Sequence, residues 1–173
     1  MSRSRPHHWH GGPVPPTAPV VVGVVPGQPP RVVHEAAALA TALGCGLVCA
    51  WVDGSRVVIG EQPDGTITTT PLDPDQDDDD RRLRAEKEMS RHLKLVLAQT
   101  DVPWLFVYTV GEAAHGLAAI AEQHDARLIA VGARRHGLAG WMTQLIGGSV
   151  AGRLVHTQTR PVVVFPPGPR GSG

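Results

Sequence analysis

Five short apolar runs, rich in β-branched residues and separated by stretches of helical spacing, limit what this chain can fold into. They are Val20 to Val25, Leu47 to Val52, Trp104 to Val110, Leu128 to Val131 and Val162 to Phe165. Apolar character without alternation marks strands covered on both faces. Between the first two, Pro29-Pro30 opens a helix with Val33, Ala36, Ala37, Ala40 and Leu43 on one face, and Gly44 closes it. Asp77 to Gln99 reads as a long helix with Leu83, Met89, Leu93, Val96 and Leu97 as its apolar positions. Ala113 to Gln123 is a third helix, and Ser149 to His156 begins a fourth. Strands alternating with helices predict an α/β fold, a single doubly wound three-layer domain with a five-stranded parallel sheet and right-handed crossovers. Arg56 to Ile59 and Thr66 to Thr69, around Pro63-Asp64-Gly65, predict a β-hairpin inserted after the second strand.

Proline placement sets the domain limits. Of 16 prolines, eight fall within residues 1–30 and four within 161–173. Residues 1–18 therefore read as a disordered Pro/His-rich arm, 19–167 as the folded domain and 168–173 as a disordered tail. Lys and Arg total 16 and Asp and Glu total 16, so no basic excess points to nucleic acid. No apolar run nears the roughly 18 residues of a membrane span. No secretory leader is legible at Met1 to His10. The expectation is a cytoplasmic protein, with no nucleic-acid or membrane partner.

Ligands of doubly wound sheets bind at the carboxyl ends of the strands, where strand order reverses. The segment after the fourth strand is the most informative one there. It carries Gly132, Gly137, Gly140, Gly147 and Gly148 and delivers Ser149 to a helix start. Glycines let backbone N–H groups approach an anion, and a helix N-terminus adds donors and the positive end of a dipole. Ser149 can cap the helix or donate to a phosphate oxygen. Arg134, Arg135 and His136 add cationic groups. The candidate binding set is Gly132, Arg134, Arg135, Gly137, Gly148 and Ser149. Tight turns and a simple cap would use the same residues.

A strand ending in Val131-Gly132, a glycine loop, Gly148-Ser149 opening a helix and then Arg160-Pro161-Val162-Val163-Val164 resembles the universal stress protein family. The resemblance runs from Val20 to Phe165. It implies the sheet order 3-2-1-4-5, a homodimer through the edge of the fifth strand and, in one branch, ATP held by the loop after the fourth strand, with Mg only alongside the nucleotide. That branch's motif is Gly, two residues, Gly, nine residues, Gly, then Ser or Thr. Gly132 fits its first glycine and Gly148-Ser149 its close, but Arg135 stands where the second glycine belongs. The segment 132–149 is also three residues longer than the motif, and Gly137 is the candidate replacement. Nucleotide-binding members place Asp after the first strand, and Val25 stands there, followed by Pro26. A lost hydrogen bond to a charged group costs on the order of 1.5–3 kcal/mol, more than tenfold in affinity.

No other constellation carries comparable chemistry. Asp77-Asp78-Asp79-Asp80, ahead of Arg81, Arg82 and Arg84, reads as a solvated helix start and not as a metal site. Cys45 and Cys49 face one side but stand roughly 13 Å apart, too far for a disulfide. His7, His8 and His10 sit in the arm, where no fixed metal geometry is expected. No serine or cysteine nucleophile is paired with a histidine by any motif, so no catalytic residue is expected and at most slow ATP hydrolysis. Three readings stay open. One is a stress-response module binding an adenine nucleotide or phosphate; the second is a dimeric interaction protein of the same fold without nucleotide, acting on an unidentified protein partner. The third, ranked last for want of a paired acid and base near the strand ends, is an enzyme such as a hydrolase of phosphate esters.

Overall fold

Strand β1 (Val20–Gly23) lies at the centre of a five-stranded sheet, flanked by β2 (Leu47–Asp53) on one side and β6 (Leu128–Gly132) on the other. The computed structural model describes residues 8–13, 17–61, 67–71, 79–133 and 149–167. Beyond β2 lies β5 (Trp104–Val110) and beyond β6 lies β7 (Val162–Phe165), which gives the order β5-β2-β1-β6-β7. Every pairing in this sheet is parallel. In order of appearance among these five strands, that is the expected 3-2-1-4-5. Val21 faces Val48 and Ile129 across its two neighbours, so the sheet centre is apolar throughout.

Strand geometry sends successive side chains to opposite faces. Val20, Val22 and Val24 join the core formed with α1 (Arg31–Ala42) and α2 (Asp79–Val96). Val21 joins the core formed with α3 (Ala113–Gln123) and α4 (Val150–Thr157). Helix α1 buries Val33, Ala36, Ala37 and Ala40 of the stripe expected from its spacing, whereas Leu43 is the C-cap beyond the helix and only partly buried. Helix α2 is mostly polar, and Met89 and Leu93, with Leu97 just past its end, anchor it in the core. Each such side chain stabilises by about 1.5–3 kcal/mol, against about 0.3–0.5 for the Arg82–Glu86 pair at 3.5 Å. Burial holds this helix in place.

Three expectations need correction. The first strand does not run to Val25: it ends at Gly23, and Val25 is 43% exposed. Val24 still donates to the Ala50 carbonyl, but Pro26 then redirects the chain and Gln28 takes the next N–H. Leu83 is exposed and not part of the α2 stripe. Six residues from Met89, it sits about 120° around the helix from it. The long helix also stops at Val96 and continues as turns instead of reaching Gln99. The expected hairpin is present as β3 (Arg56–Glu61) and β4 (Ile67–Pro71), antiparallel, in a separate two-stranded sheet with a register shift between Val58 and Gly60. Its Pro63-Asp64-Gly65 turn, Asp77 and Asp78 lie outside the described residues.

Cys45 and Cys49 are both free, buried and in the same core layer, and burial pushes both thiols up. His10, in the stretch read as part of the arm, exchanges two backbone hydrogen bonds with Trp104, a contact the proline pattern does not foreshadow.

Candidate functional site

The chain leaves β1 towards α1 on one face of the sheet and leaves β6 towards α4 on the other. This divergence between adjacent parallel strands opens a crevice at their carboxyl ends. On the β1 side the Val25–Gln28 turn is closed twice. Gln28 N–H donates to the Val25 carbonyl at 3.2 Å, and Val25 N–H donates to Gln28 Oε1 at 3.0 Å. The carboxamide of Gln28 thus serves its own turn, and Val25 brings no polar side chain to the crevice.

Gly132 forms the opposite wall. A Cβ on it would lie 2.7 Å from Val32 Cγ2 and 3.2 Å from Gln28 Nε2. The start of the glycine segment therefore meets the β1–α1 turn. Ala133 N–H, the next donor, bonds the Phe165 carbonyl of β7 at 2.8 Å. Arg134, Arg135, His136, Gly137, Gly140, Gly147 and Gly148 lie outside the described residues.

Ser149 is the N-cap of α4, with extended backbone, and its Oγ accepts from Gly152 N–H at 3.0 Å. Capping uses an oxygen lone pair and leaves the hydroxyl proton available to donate. The first two N–H groups of a helix have no intrahelical acceptor, so Val150 and Ala151 offer two further donors at this end. The neighbouring helix is different. Glu112 caps α3, accepting from Ala114 N–H at 3.1 Å and His115 N–H at 2.9 Å, and its carboxylate also holds Arg153 at 3.1 Å. An acid already fills the α3 terminus, whereas a hydroxyl caps that of α4. Of these two termini, that of α4 is the one whose cap carries no negative charge.

Sequence reasoning missed Glu112, Arg153 and Gln28. Gly111-Glu112 before an apolar helix was the available signal, but Glu is not among the favoured capping residues. Partial burial works to raise the Glu112 carboxyl; the two backbone donors and Arg153 outweigh it and hold the group below its ordinary 4.5. Glu112→Ala is expected to lower stability by about 1 kcal/mol, mostly through the lost cap, since a half-exposed ion pair adds little. A carboxyl held low in the fold contributes stability above 4.5 that is lost as pH falls through its lowered value. Urea denaturation of both proteins should show their difference shrinking in acid. A difference independent of pH would refute this assignment.

A second polar cluster lies at the ends of β2 and β5. Tyr108 donates to Asp53 Oδ2 at 2.9 Å, and Asp53 Oδ1 accepts from the Ser55 hydroxyl at 2.6 Å. Burial, the Asp53 charge and this hydrogen bond raise the Tyr108 phenol, and the Arg82 guanidinium lies 5.7 Å from its ring centroid. This cluster ties the start of the hairpin to α2. A cleft of about 320 Å³ along α3, lined by His115, Glu122, Thr157 and Arg160, shares no residue with the crevice. Among the described residues no helix is long and apolar enough to cross a membrane, and no group of His, Cys, Asp and Glu is arranged to hold a metal ion.

Comparisons with known proteins agree with this architecture. Universal stress protein UspA from Lactobacillus plantarum is 21% identical, with 86% of this chain and 97% of that one covered and a TM-score of 0.61. The universal stress protein from Archaeoglobus fulgidus, solved in complex with dAMP, is 18% identical over 86% and 97%, with a TM-score of 0.57. A universal stress protein solved in complex with cAMP is 20% identical over 86% and 95%, with a TM-score of 0.54. No curated protein matches the chain significantly. The profile of the universal stress protein family matches residues 17–166, which contain all five strands of the sheet and its four helices, and the chain belongs to that family.

Proposed function

We propose that this chain is a universal stress protein-like module that binds an adenine nucleotide by its phosphate end, at the crevice between the β1 and β6 loops. The observation that carries the reading is Gly132 pressed against the Val25–Gln28 turn at the switch point, with a hydroxyl-capped helix following in sequence. Two structural neighbours were solved with dAMP and cAMP, which supports the same ligand class. The proposed contacts are Gly132, Arg134, Arg135, Gly137, Gly148 and Ser149, with Mg entering only on ATP. The folded unit is residues 19–167, between an arm of 1–18 and a tail of 168–173. The edge of β7, with Val164 exposed, is the proposed homodimer contact. Stress response and a cytoplasmic location follow from the family reading.

Val25 sets the affinity. It offers the adenosine part no acceptor, and its own N–H is held by Gln28. Calorimetric titration with ATP and magnesium should show weak binding to the wild type. Val25→Asp should tighten it more than tenfold, the value of a restored hydrogen bond to a charged group, on the order of 1.5–3 kcal/mol. Ser149→Ala should weaken it. At about 100 times Kd, ligand should also stabilise the fold by roughly 2.7 kcal/mol. Tight binding by the wild type would disprove the role given to Val25. No binding by either protein would leave the second reading, a dimeric interaction protein without nucleotide, which the apolar Val25 favours.

A further inference from the structure

The outer edge of β5 is not bare. His10 N–H donates to the Trp104 carbonyl at 2.7 Å, and Trp104 N–H donates to the His10 carbonyl at 2.9 Å, as one antiparallel rung. Trp9 packs on the core layer of α3 and α4, while the His10 ring stacks on Trp104, in the other layer, with centroids 4.4 Å apart and planes at 34°. Adjacent side chains divided between the two faces are strand geometry. Two residues of the arm thus extend the sheet by one rung. Gly11 then turns the chain at φ +75°, where a Cβ would lie 3.1 Å from the Val102 carbonyl oxygen. Only glycine suits both the conformation and the approach. Trp-His-Gly-Gly is fitted to this edge.

A sheet edge is a template for another strand, and proteins cover such edges against unwanted pairing. We propose that residues 8–12 are a self-supplied strap closing the β5 edge against pairing with a second copy of this chain, and that protonation of His10 releases it. Burial holds the His10 imidazole below its ordinary 6.5, and the positive charges of Lys94 on α2 and His8 on the strap act in the same direction. On β5 the ring meets Trp104, whose indole face attracts a cation and so acts against the burial and the two positive charges. The docked strap therefore binds fewer protons than the free one. Its stability is complete above 6.5 and falls as pH drops through the lowered value.

Amide exchange at Trp104 in the full-length chain, corrected for the intrinsic effect of pH, tests this. Protection is expected at about pH 7.5 and its loss at about pH 5, the range in which histidine changes charge. His10→Phe keeps a stacking ring that cannot titrate, and should stay protected at both. His10→Pro removes the donor and should be unprotected even at the higher pH. Deleting residues 1–12 should raise self-association above wild type in sedimentation at the higher pH, and acid should raise that of the wild type. Trp104 unprotected at the higher pH, His10→Phe released by acid, or unchanged association on deletion would each overturn the proposal.

Discussion

Leu154→Ala is expected to destabilise the protein by about 2–5 kcal/mol, the range for removing a fully buried leucine when its surroundings collapse only partly. At about 2–4 °C per kcal/mol for a domain of this size, Tm should fall by about 4–20 °C. Leu154 is fully buried in the layer formed with α3. Helix α4 has eight residues, too few to persist on propensity alone, so packing must hold it. The slightly better helix propensity of alanine returns only tenths of a kcal/mol. The consequence reaches the candidate site, because α4 carries Ser149 at its start and Arg153 one turn on. Loosening the helix should free Gly152 N–H from Ser149 Oγ and Arg153 from Glu112. The urea midpoint should drop at constant slope, and the Gly152 amide should exchange faster. An unchanged midpoint would mean that Leu154 does not seat α4.

The strands were legible because they are continuous apolar runs. Trp104–Val110, Ala113–Gln123 and Val162–Phe165 have the limits read from the sequence. The end of β1 was not legible. Val24 and Val25 prolong the apolar run, and what stops the strand is a side-chain hydrogen bond from three residues ahead. Leu83 was misread because long helices carry apolar residues off the buried stripe, and composition does not separate the two. The Trp9-His10 rung escaped because a pairing of one residue has no periodicity. Motif spacing singled out Gly132 and Ser149, which the structure places against the β1–α1 turn and at the start of α4. It could not find Gln28 or Glu112, whose roles arise from backbone donors that only the folded turn exposes.

Gly132 separates packing from ligand binding, since both readings want a glycine there. Gly132→Ala should destabilise the protein by about 1–3 kcal/mol, the usual cost of overpacking. The smaller entropy of the alanine chain when unfolded offsets about 0.4–1 of this, so the net effect remains a loss. The added carbon would meet Val32 Cγ2 at 2.7 Å and Cγ1 at 3.5 Å. Strand β6 is paired on both sides and cannot yield, and a β-branched side chain has little rotamer freedom with which to step aside. The start of α1 must shift, and the Val25–Gln28 turn with it. Val32→Ala removes both methyl groups that the new carbon meets, so the double variant should recover stability, with a coupling of about 0.5–3 kcal/mol. Nucleotide affinity follows a different rule. If the missing Cβ also lets backbone donors approach a phosphate, relieving Val32 restores the fold but not the binding. Recovery of both would reduce Gly132 to a packing residue, and no loss on Gly132→Ala would show that α1 does not lie against β6 as described.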